Sequence, residues 1–482
     1  MRFLGLTARV IPVASAIGVL VALAPAPARA VGEEVTDVRV LGNVRTEEST
    51  ILSLAGVAIG DTLGADTLDM VRERLANSGL FADVNVWWEQ HGAGVRVNIS
   101  VRDKFPWAPV PTASWSENNK SIGVVFVHGN LFGRGKQLVL GARLAQIDSG
   151  VLLAYRDPSM FGSWFYWQLS AFAQRQVIPE FDNSDLTAPV EIRETTLVSY
   201  GVEPTIGIAW LRRVKTQVGW HLENVQFKGS VAPSPPAMAD PITGQSPAIV
   251  AATNGGVIGV GRASLSFDFR AREFAVMTGA ALTGNFDYGT PGFGSDFTFW
   301  RAGVNWEEGI RLFRAHNFIY SAGAFASHNA PFFQENTAGG TNLRGYLFQE
   351  FRGDTQLAGK AEYHFPLFSI GSLDFRALGF YDFSAIWFRQ DPPTTTIAPL
   401  PVDPAWGYLQ RSTPDQRTFM YNPVPGMSPM PQGFGLTTQS FHNDVGVGLR
   451  FFLRSVAVPL VGIDAGYGIE ARTWRYIIIV GA

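Results

Sequence analysis

The chain of 482 residues is 46% hydrophobic and 12% aromatic but only 16% charged, with 51 Gly, no Cys and a formal charge of −3. Without cysteine there is no disulfide scaffold and no thiolate metal site, and the near-neutral balance offers no basis for binding nucleic acid. Its 13 Trp and 35 Phe suit either a large sheet core or the aromatic girdles of a membrane-spanning barrel.

Arg2 and Arg9 precede an apolar run over 10–23, which is followed by Ala28-Arg29-Ala30. This is the arrangement of a secretory signal, so 1–30 is expected to be a signal peptide cut after Ala30. The run is shorter than the roughly 20 residues a spanning helix requires. No later stretch is apolar for long enough to span either, so an embedded form of this chain would have to be a barrel.

Residues 33–103 read as a small soluble β-α-α-β-β unit. Positions 35–40 alternate as a strand ending at Leu41-Gly42-Asn43, and Thr46 is placed to cap a helix running through Ile51 and Leu54. A second helix over 66–77 presents Leu68, Val71 and Leu75 at helical spacing and stops at Ser78-Gly79. Strands over 83–88 and 95–101 flank a Gly92-Ala93-Gly94 turn. Residues 104–111, with three prolines around Trp107, read as a stiff linker.

From 112 to 482 no convincing helix appears, and alternating segments recur at 138–146, 217–223, 262–270, 356–365, 373–387, 444–453 and 460–468. In 373–387, Leu373, Phe375, Ala377, Tyr381, Phe383, Ala385 and Trp387 share one face, and Asp374, Arg376, Asp382 and Ser384 the other. Soluble antiparallel sheets alternate too, but a charged face repeated this often, in an exported chain, requires a hydrated interior. At about 9–11 residues per spanning strand plus its connection, the length accommodates roughly 16 strands. Residues 366–371 and 454–459 read as short turns on one rim. Residues 227–256, 329–351 and the Pro-rich 391–432 read as long loops on the other.

Enzyme chemistry finds no support. The stretch 129–136 lacks the glycine spacing of a phosphate loop and is followed by Gln137 instead of Ser or Thr. Neither H-E-x-x-H nor G-x-S-x-G occurs. His221, His364 and His442 have no second histidine at ligand spacing, so they read as lumen or loop residues. No catalytic, cofactor or metal-binding residue is expected.

Several motifs carry a family resemblance. Val38-Arg39-Val40-Leu41-Gly42-Asn43, Leu75 and Ser78-Gly79-Leu80-Phe81-Ala82-Asp83-Val84 make 33–103 resemble a POTRA domain. This is the periplasmic repeat of the outer-membrane-protein assembly family of the BamA and TamA type, which includes bacterial surface antigen barrels. Asn130-Leu131-Phe132-Gly133-Arg134-Gly135 resembles that family's early-strand motif, and Tyr155-Arg156-Asp157-Pro158-Ser159-Met160-Phe161-Gly162 its aspartate-proline turn. Leu343-Arg344-Gly345-Tyr346 is similar to the arginine-glycine-aromatic tip of the family's sixth external loop, which folds into the barrel. Phe380-Tyr381-Asp382-Phe383-Ser384-Ala385-Ile386-Trp387 resembles the strand that receives this tip.

The resemblance runs from about residue 33 to the C-terminus. It implies a mostly β protein: a transmembrane antiparallel β-barrel of about 16 strands over 112–482, preceded by one small α+β POTRA-like domain in the periplasm. It implies a latch in which Arg344, Gly345 and Tyr346 are held by the inward acids Glu362 and Asp382, because a buried guanidinium needs carboxylates. Spacing alone leaves open that Arg344 solvates an external hairpin. The implied function is to assist insertion, assembly or translocation of client polypeptides in the outer membrane, without ATP, cofactor or catalysis. The implied partners are outer-membrane lipid and unfolded barrel or secreted polypeptides, reached through the POTRA-like domain and a barrel seam, with room for periplasmic or lipoprotein accessories. Trp474, Tyr476, Ile478 and Val480 are the candidate seam strand, although Gly481-Ala482 replaces the usual aromatic ending and 477–480 breaks alternation. The alternatives are a passive pore or surface antigen, and a two-partner secretion pore. The latter would need a second POTRA-like module and a plug helix, for which the four residues between Ala30 and Val35 leave no space.

Overall fold

The structure is a computed structural model that describes residues 32–160, 163–183, 185–211, 213–231, 255–273, 275–389, 436, 438–453 and 459–481. The expected signal peptide, most of the 227–256 loop, all of the 391–432 loop and most of the 454–459 turn lie outside these residues. The chain divides into two compact units, one of 1–43 and 51–102 and one of 44–50 and 103–482.

In the first unit, strand β1 (Val35–Leu41) is followed by helices α1 (Glu48–Ala55) and α2 (Thr67–Asn77), then by strands β2 (Phe81–His91) and β3 (Gly94–Asp103). The sheet order is β1-β3-β2, with β1 parallel to β3. Apolar side chains of both helices, Ile51, Val71 and Leu75, are buried with Val95, Val97 and Ile99 of β3 in one core. The Gly79 backbone, at φ +78°, ends α2 in the left-handed region. Gly42 is at φ +80°, and a methyl there would meet the Val101 carbonyl oxygen at 2.4 Å, so only glycine lets β1 turn away.

The expected cap at Thr46 is not formed. Helix α1 begins at Glu48, and the Thr46 hydroxyl instead donates to Asp103 Oδ1 at 2.5 Å. Asp103 Oδ2 accepts the Val44 and Arg45 N–H groups, both at 2.7 Å. A cap would need the hydroxyl oxygen as acceptor, and that oxygen instead accepts from Asn130 Nδ2 at 2.8 Å.

The second unit is, among the described residues, a closed antiparallel barrel of sixteen strands. Its first half comprises Trp107–Trp115, Lys120–Leu131, Lys136–Ala145, Asp148–Asp157, Phe165–Asp182, Val190–Leu211, Val214–Val231 and Gly256–Asp268. The second half comprises Val276–Gly289, Phe299–Leu312, His316–His328, Thr355–Ile370, Leu373–Trp387, Phe441–Leu453, Pro459–Gly468 and Thr473–Val480. The short Ala271–Glu273 continues the eighth strand along the ninth. Side chains such as Leu265, Val304, Trp306, Val445 and Val447 stand exposed on the outer wall, whereas Arg376, Asp382, Asp444 and Asp464 are buried. An outer wall of this kind requires hydrocarbon as its solvent.

Two expectations are corrected. The linker assigned to 104–111 is not one: Trp107–Trp115 is the first barrel strand, so the barrel begins five residues before 112. The prolines are tolerated because of where their missing donors point. Gly129 N–H donates to the Pro106 carbonyl at 2.7 Å and Ser116 N–H to the Asn119 carbonyl at 3.0 Å, so even-numbered residues of this strand bond to the second strand. Odd-numbered ones, Pro109 and Pro111 included, aim at the closing strand. The turn assigned to 366–371 is also shorter, since Thr355–Ile370 stays paired and leaves Gly371-Ser372 as the connection. Pro366 is absorbed at a register shift between Pro366 and Phe368.

Replacing Gly42 with alanine should lower the stability of the first unit by at least about 1–2 kcal/mol. Amide hydrogen exchange of β1 and β3 in the full chain would register this as lost protection.

Candidate functional site

The loop between His316–His328 and Thr355–Ile370 turns into the barrel and lays its tip against the inner wall. Gly339 and Gly340 adopt φ +119° and +68°, which bends the chain inward, and a methyl on Gly339 would meet the Leu347 carbonyl oxygen at 1.9 Å. At the tip, Arg344 is buried. Its Nε donates to Asp382 Oδ2 at 2.7 Å and its Nη2 to Asp382 Oδ1 at 2.8 Å, a two-pronged fork. Nη1 lies 2.7 Å from Glu362 Oε1 and 3.3 Å from Asp464 Oδ2. The guanidinium carbon stands 3.4 Å over the Phe380 ring centroid.

Gly345 N–H donates to Asp444 Oδ2 at 2.8 Å. The Tyr346 hydroxyl donates to the Asn443 carbonyl at 3.2 Å and also bonds the Glu470 carboxylate. The tip seats in a trough of glycines. A methyl on Gly466 would meet the Arg344 carbonyl carbon at 2.8 Å, and one on Gly468 the Gly345 carbonyl oxygen at the same distance. Gly345 itself has Gly468 N 2.5 Å from where its Cβ would be.

The structure thus brings Arg344, Gly345, Tyr346, Glu362 and Asp382 together. It adds Asp444, Asp464, Asn443, Glu470, Gly466 and Gly468. The signal for the added residues is a repeated Asp-x-Gly-x-Gly, at 444–448 and again at 464–468, on the inward face of two neighbouring strands. Arg450 completes the charge pattern, donating to Asp464 Oδ1 at 2.6 Å and Oδ2 at 2.9 Å.

The turn motifs act locally. Asn130 Oδ1 accepts the Gly135 N–H at 2.8 Å, closing a turn in which Gly133 and Gly135 have φ of +70° and +66°. Asp157 Oδ1 accepts the Ser159 N–H at 3.3 Å, and Asp157 Oδ2 lies 3.1 Å from Lys136 Nζ.

The seam is short. Where the first and second strands pair nine residues each, the last strand meets the first only at Ile478 opposite Trp115, Ile479 opposite Ser114 and Val480 opposite Ala113. Ile478 and Val480 therefore lie in the closing ladder. Trp474 and Tyr476 lie beyond it, opposite Tyr467 and Ala465 of the preceding strand. Above the ladder, Arg475 on the last strand pairs with Glu117 in the first turn. Beside it the Asn118 amide clamps the loop, donating to the Phe348 carbonyl at 3.2 Å and accepting the Phe348 N–H at 3.0 Å. Loop and seam therefore share the first turn.

Residues 130–451 match the Omp85 superfamily domain. The chain belongs to the Omp85 superfamily. Among solved structures, it is similar to BamA from Haemophilus ducreyi lacking POTRA domains 1–3, at a TM-score of 0.61 and 14% identity over 93% of this chain and 84% of that one. It is also similar to CdiB from Escherichia coli (TM-score 0.58, 11% identity, 93% and 76% covered). CdiB from Acinetobacter baumannii gives a TM-score of 0.55 at 11% identity, with 93% and 74% covered. At these identities the likeness is one of fold. No curated protein matches the chain. As an Omp85 barrel with a POTRA-like unit, the chain takes its place among outer-membrane barrels concerned with polypeptide assembly and translocation.

Two outcomes are expected. Arg344→Ala leaves Asp382 buried without its cation and should cost about 3–5 kcal/mol, visible as a lower temperature for loss of the folded band in heat-modifiability gels. Arg344→Lys, which cannot fork, should recover only a minor part. The second concerns pH. Burial pushes the loop carboxyl of Glu350 up to about 7, against the opposing pull of the Leu347 N–H and the Arg475 charge. A released loop has this carboxyl in the ordinary carboxylate range, so its contribution to seating is full below that range and disappears as pH rises through about 7. Protease protection of the loop should fall between pH 5 and 8, and Glu350→Gln should flatten that dependence.

Proposed function

We propose that this Omp85 barrel assists the insertion, assembly or translocation of client polypeptides at the outer membrane, without ATP or catalytic chemistry, using its seam as the entry point. The observation that carries the reading is the three-pair closing ladder beside prolines whose missing donors face it. In hydrocarbon an unpaired backbone group costs several kcal/mol, so a poorly closed edge has a standing affinity for any strand that supplies donors and acceptors. An incoming strand gains backbone bonds there without displacing a long ladder. The latched loop keeps the neighbouring wall in register while the seam parts.

The POTRA-like unit lies in the periplasm in this reading and presents a sheet edge, β1 or β2, to an extended client. Clients are unfolded barrel or secreted polypeptides, and lipoprotein or periplasmic accessories are compatible with the same surface. The passive-pore or surface-antigen alternative gives no task to a loop tip held inside the lumen by Asp382, Glu362 and Asp464. The secretion-pore alternative draws on the CdiB likeness, which is one of fold.

A disulfide between Ala113→Cys and Val480→Cys should lock the seam, and with no native cysteine its formation is unambiguous. Liposomes carrying the oxidised variant should then lose client insertion and recover it on reduction. Full activity in the oxidised state would sink the seam reading. Removal of 33–103 should reduce insertion at low client concentration, and unchanged activity would eliminate capture by the POTRA-like unit.

A further inference from the structure

On the rim that carries the short turns, cations and exposed aromatic rings collect at one place. Arg213 joins the sixth and seventh strands, Phe269 and Arg270 follow the eighth, and Phe313-Arg314-Ala315 joins the tenth and eleventh. These turns are contiguous. Asp268 N–H donates to the Arg213 carbonyl at 2.7 Å, Arg270 Nη1 lies 3.1 Å from Glu307 of the tenth strand, and the Arg213 guanidinium stands 5.8 Å over the Phe269 ring. In a closed wall of sixteen strands this is the side facing away from the junction of the first and last.

Two features of the patch are unexplained by the fold. Arg270 is met by Asp268 and Glu307, and Arg311 by Glu273, but Arg213 and Arg314 have no carboxylate partner among the described residues. The turn at 313–315 is also strained. Phe313 and Arg314 both adopt left-handed backbone, at φ +44° and +66°, where a hairpin ordinarily places asparagine or glycine. The turn leaves Phe313 80% exposed, and strain of this kind collects at sites of contact.

The surroundings identify the contact. Exposed Ile310 is paired with Phe318, and Phe318 with Tyr363, so the hydrocarbon-facing wall reaches down to the turn. His316 Nδ1 lies 2.8 Å from the Tyr363 hydroxyl, and its ring meets Phe313 edge-on at 5.7 Å. The Phe313 ring therefore continues an aromatic girdle, the layer where acyl chains give way to headgroups, and Arg314 stands at headgroup depth. Phe269 and Arg213 repeat the pairing on the neighbouring turns. At that depth a guanidinium without a carboxylate matches the paired oxygens of a phosphodiester. We propose that this patch binds anionic phospholipid in the leaflet at the short-turn rim, with Arg213 and Arg314 on the phosphates and Phe269 and Phe313 among the acyl chains. In the reading above that leaflet is the periplasmic one; binding itself requires only lipid around the barrel. Zwitterionic heads carry an ammonium that repels guanidinium, so the patch selects net negative charge. It tethers the wall farthest from the seam and leaves the closure free.

The test uses the full chain in phosphatidylcholine nanodiscs containing a trace of brominated phosphatidylglycerol or brominated phosphatidylcholine as quencher. With no native cysteine, a bimane on Ile310→Cys reports lipid beside the patch. A bimane on Ile463→Cys, similarly exposed on the fifteenth strand, reports lipid on the seam side. At about a five-fold gain per cation near an anionic surface, phosphatidylglycerol should be favoured roughly ten- to thirty-fold at 310 and far less at 463. Arg213→Gln with Arg314→Gln should bring the preference at 310 down to that at 463, while Arg213→Lys with Arg314→Lys should keep most of it. Phe313→Gly, which relieves the turn, should lower phosphatidylglycerol association several-fold. The folded band in heat-modifiability gels checks that each variant is closed. Equal quenching by the two lipids at 310 would overturn the proposal and leave the patch to an acidic protein. A preference that survives loss of both arginines, or one equally strong at 463, would overturn it too, and unchanged association in Phe313→Gly would overturn the role given to the ring. The seam reading stands or falls separately.

Discussion

A backbone in hydrocarbon has nowhere to hydrogen-bond except to itself, and from this constraint the rest of the molecule follows. Sixteen strands close into a cylinder so that their edges disappear. Closure joins two strands that lie far apart in sequence, and here it is made by three residue pairs while the pairings on either side of it have eight and nine. The cylinder is therefore uniform in kind but uneven in strength. Its weakest line is the closing seam, beside which two prolines aim donorless nitrogens.

The lumen poses the opposite problem. Charges on the inner wall need partners once a loop excludes water, and the loop brings its own. Arg344 enters a group of carboxylates from three strands and is answered by Asp382, Glu362 and Asp464. Neither the cation nor the acids would be tolerated at this burial alone. The glycines at 446, 448, 466 and 468 clear the space in which this pairing forms.

Much of this was legible from alternation. Segments such as 356–365 and 373–387 declare both faces because one side carries Lys360, Glu362 and Asp382 and the other Leu357, Tyr363 and Phe383. The first barrel strand was not legible, since prolines at 109 and 111 are the ordinary mark of a linker. Only the direction of each missing N–H, a property of pairing, reconciles them with a strand. Asp444 and Asp464 were missed as parts of the site because their companions are glycines, whose contribution is an absence of side chain. The Arg344 pairing itself came from resemblance, because spacing does not tell a loop that enters a barrel from one that leaves it. The three-pair seam arises from the stagger between the first and last strands, and no local pattern records it.

The tip of the loop makes contacts that span four successive strands, with Glu362, Asp382, Asp444 and Asp464 each on a different one. A strand that slips by one residue turns its acid toward lipid, and the guanidinium then loses a partner at a depth where water cannot replace it. The cation consequently works as a gauge of alignment. A cylinder threaded out of step is penalised at the loop before its two ends have met, so correct ordering of these four strands is checked from within.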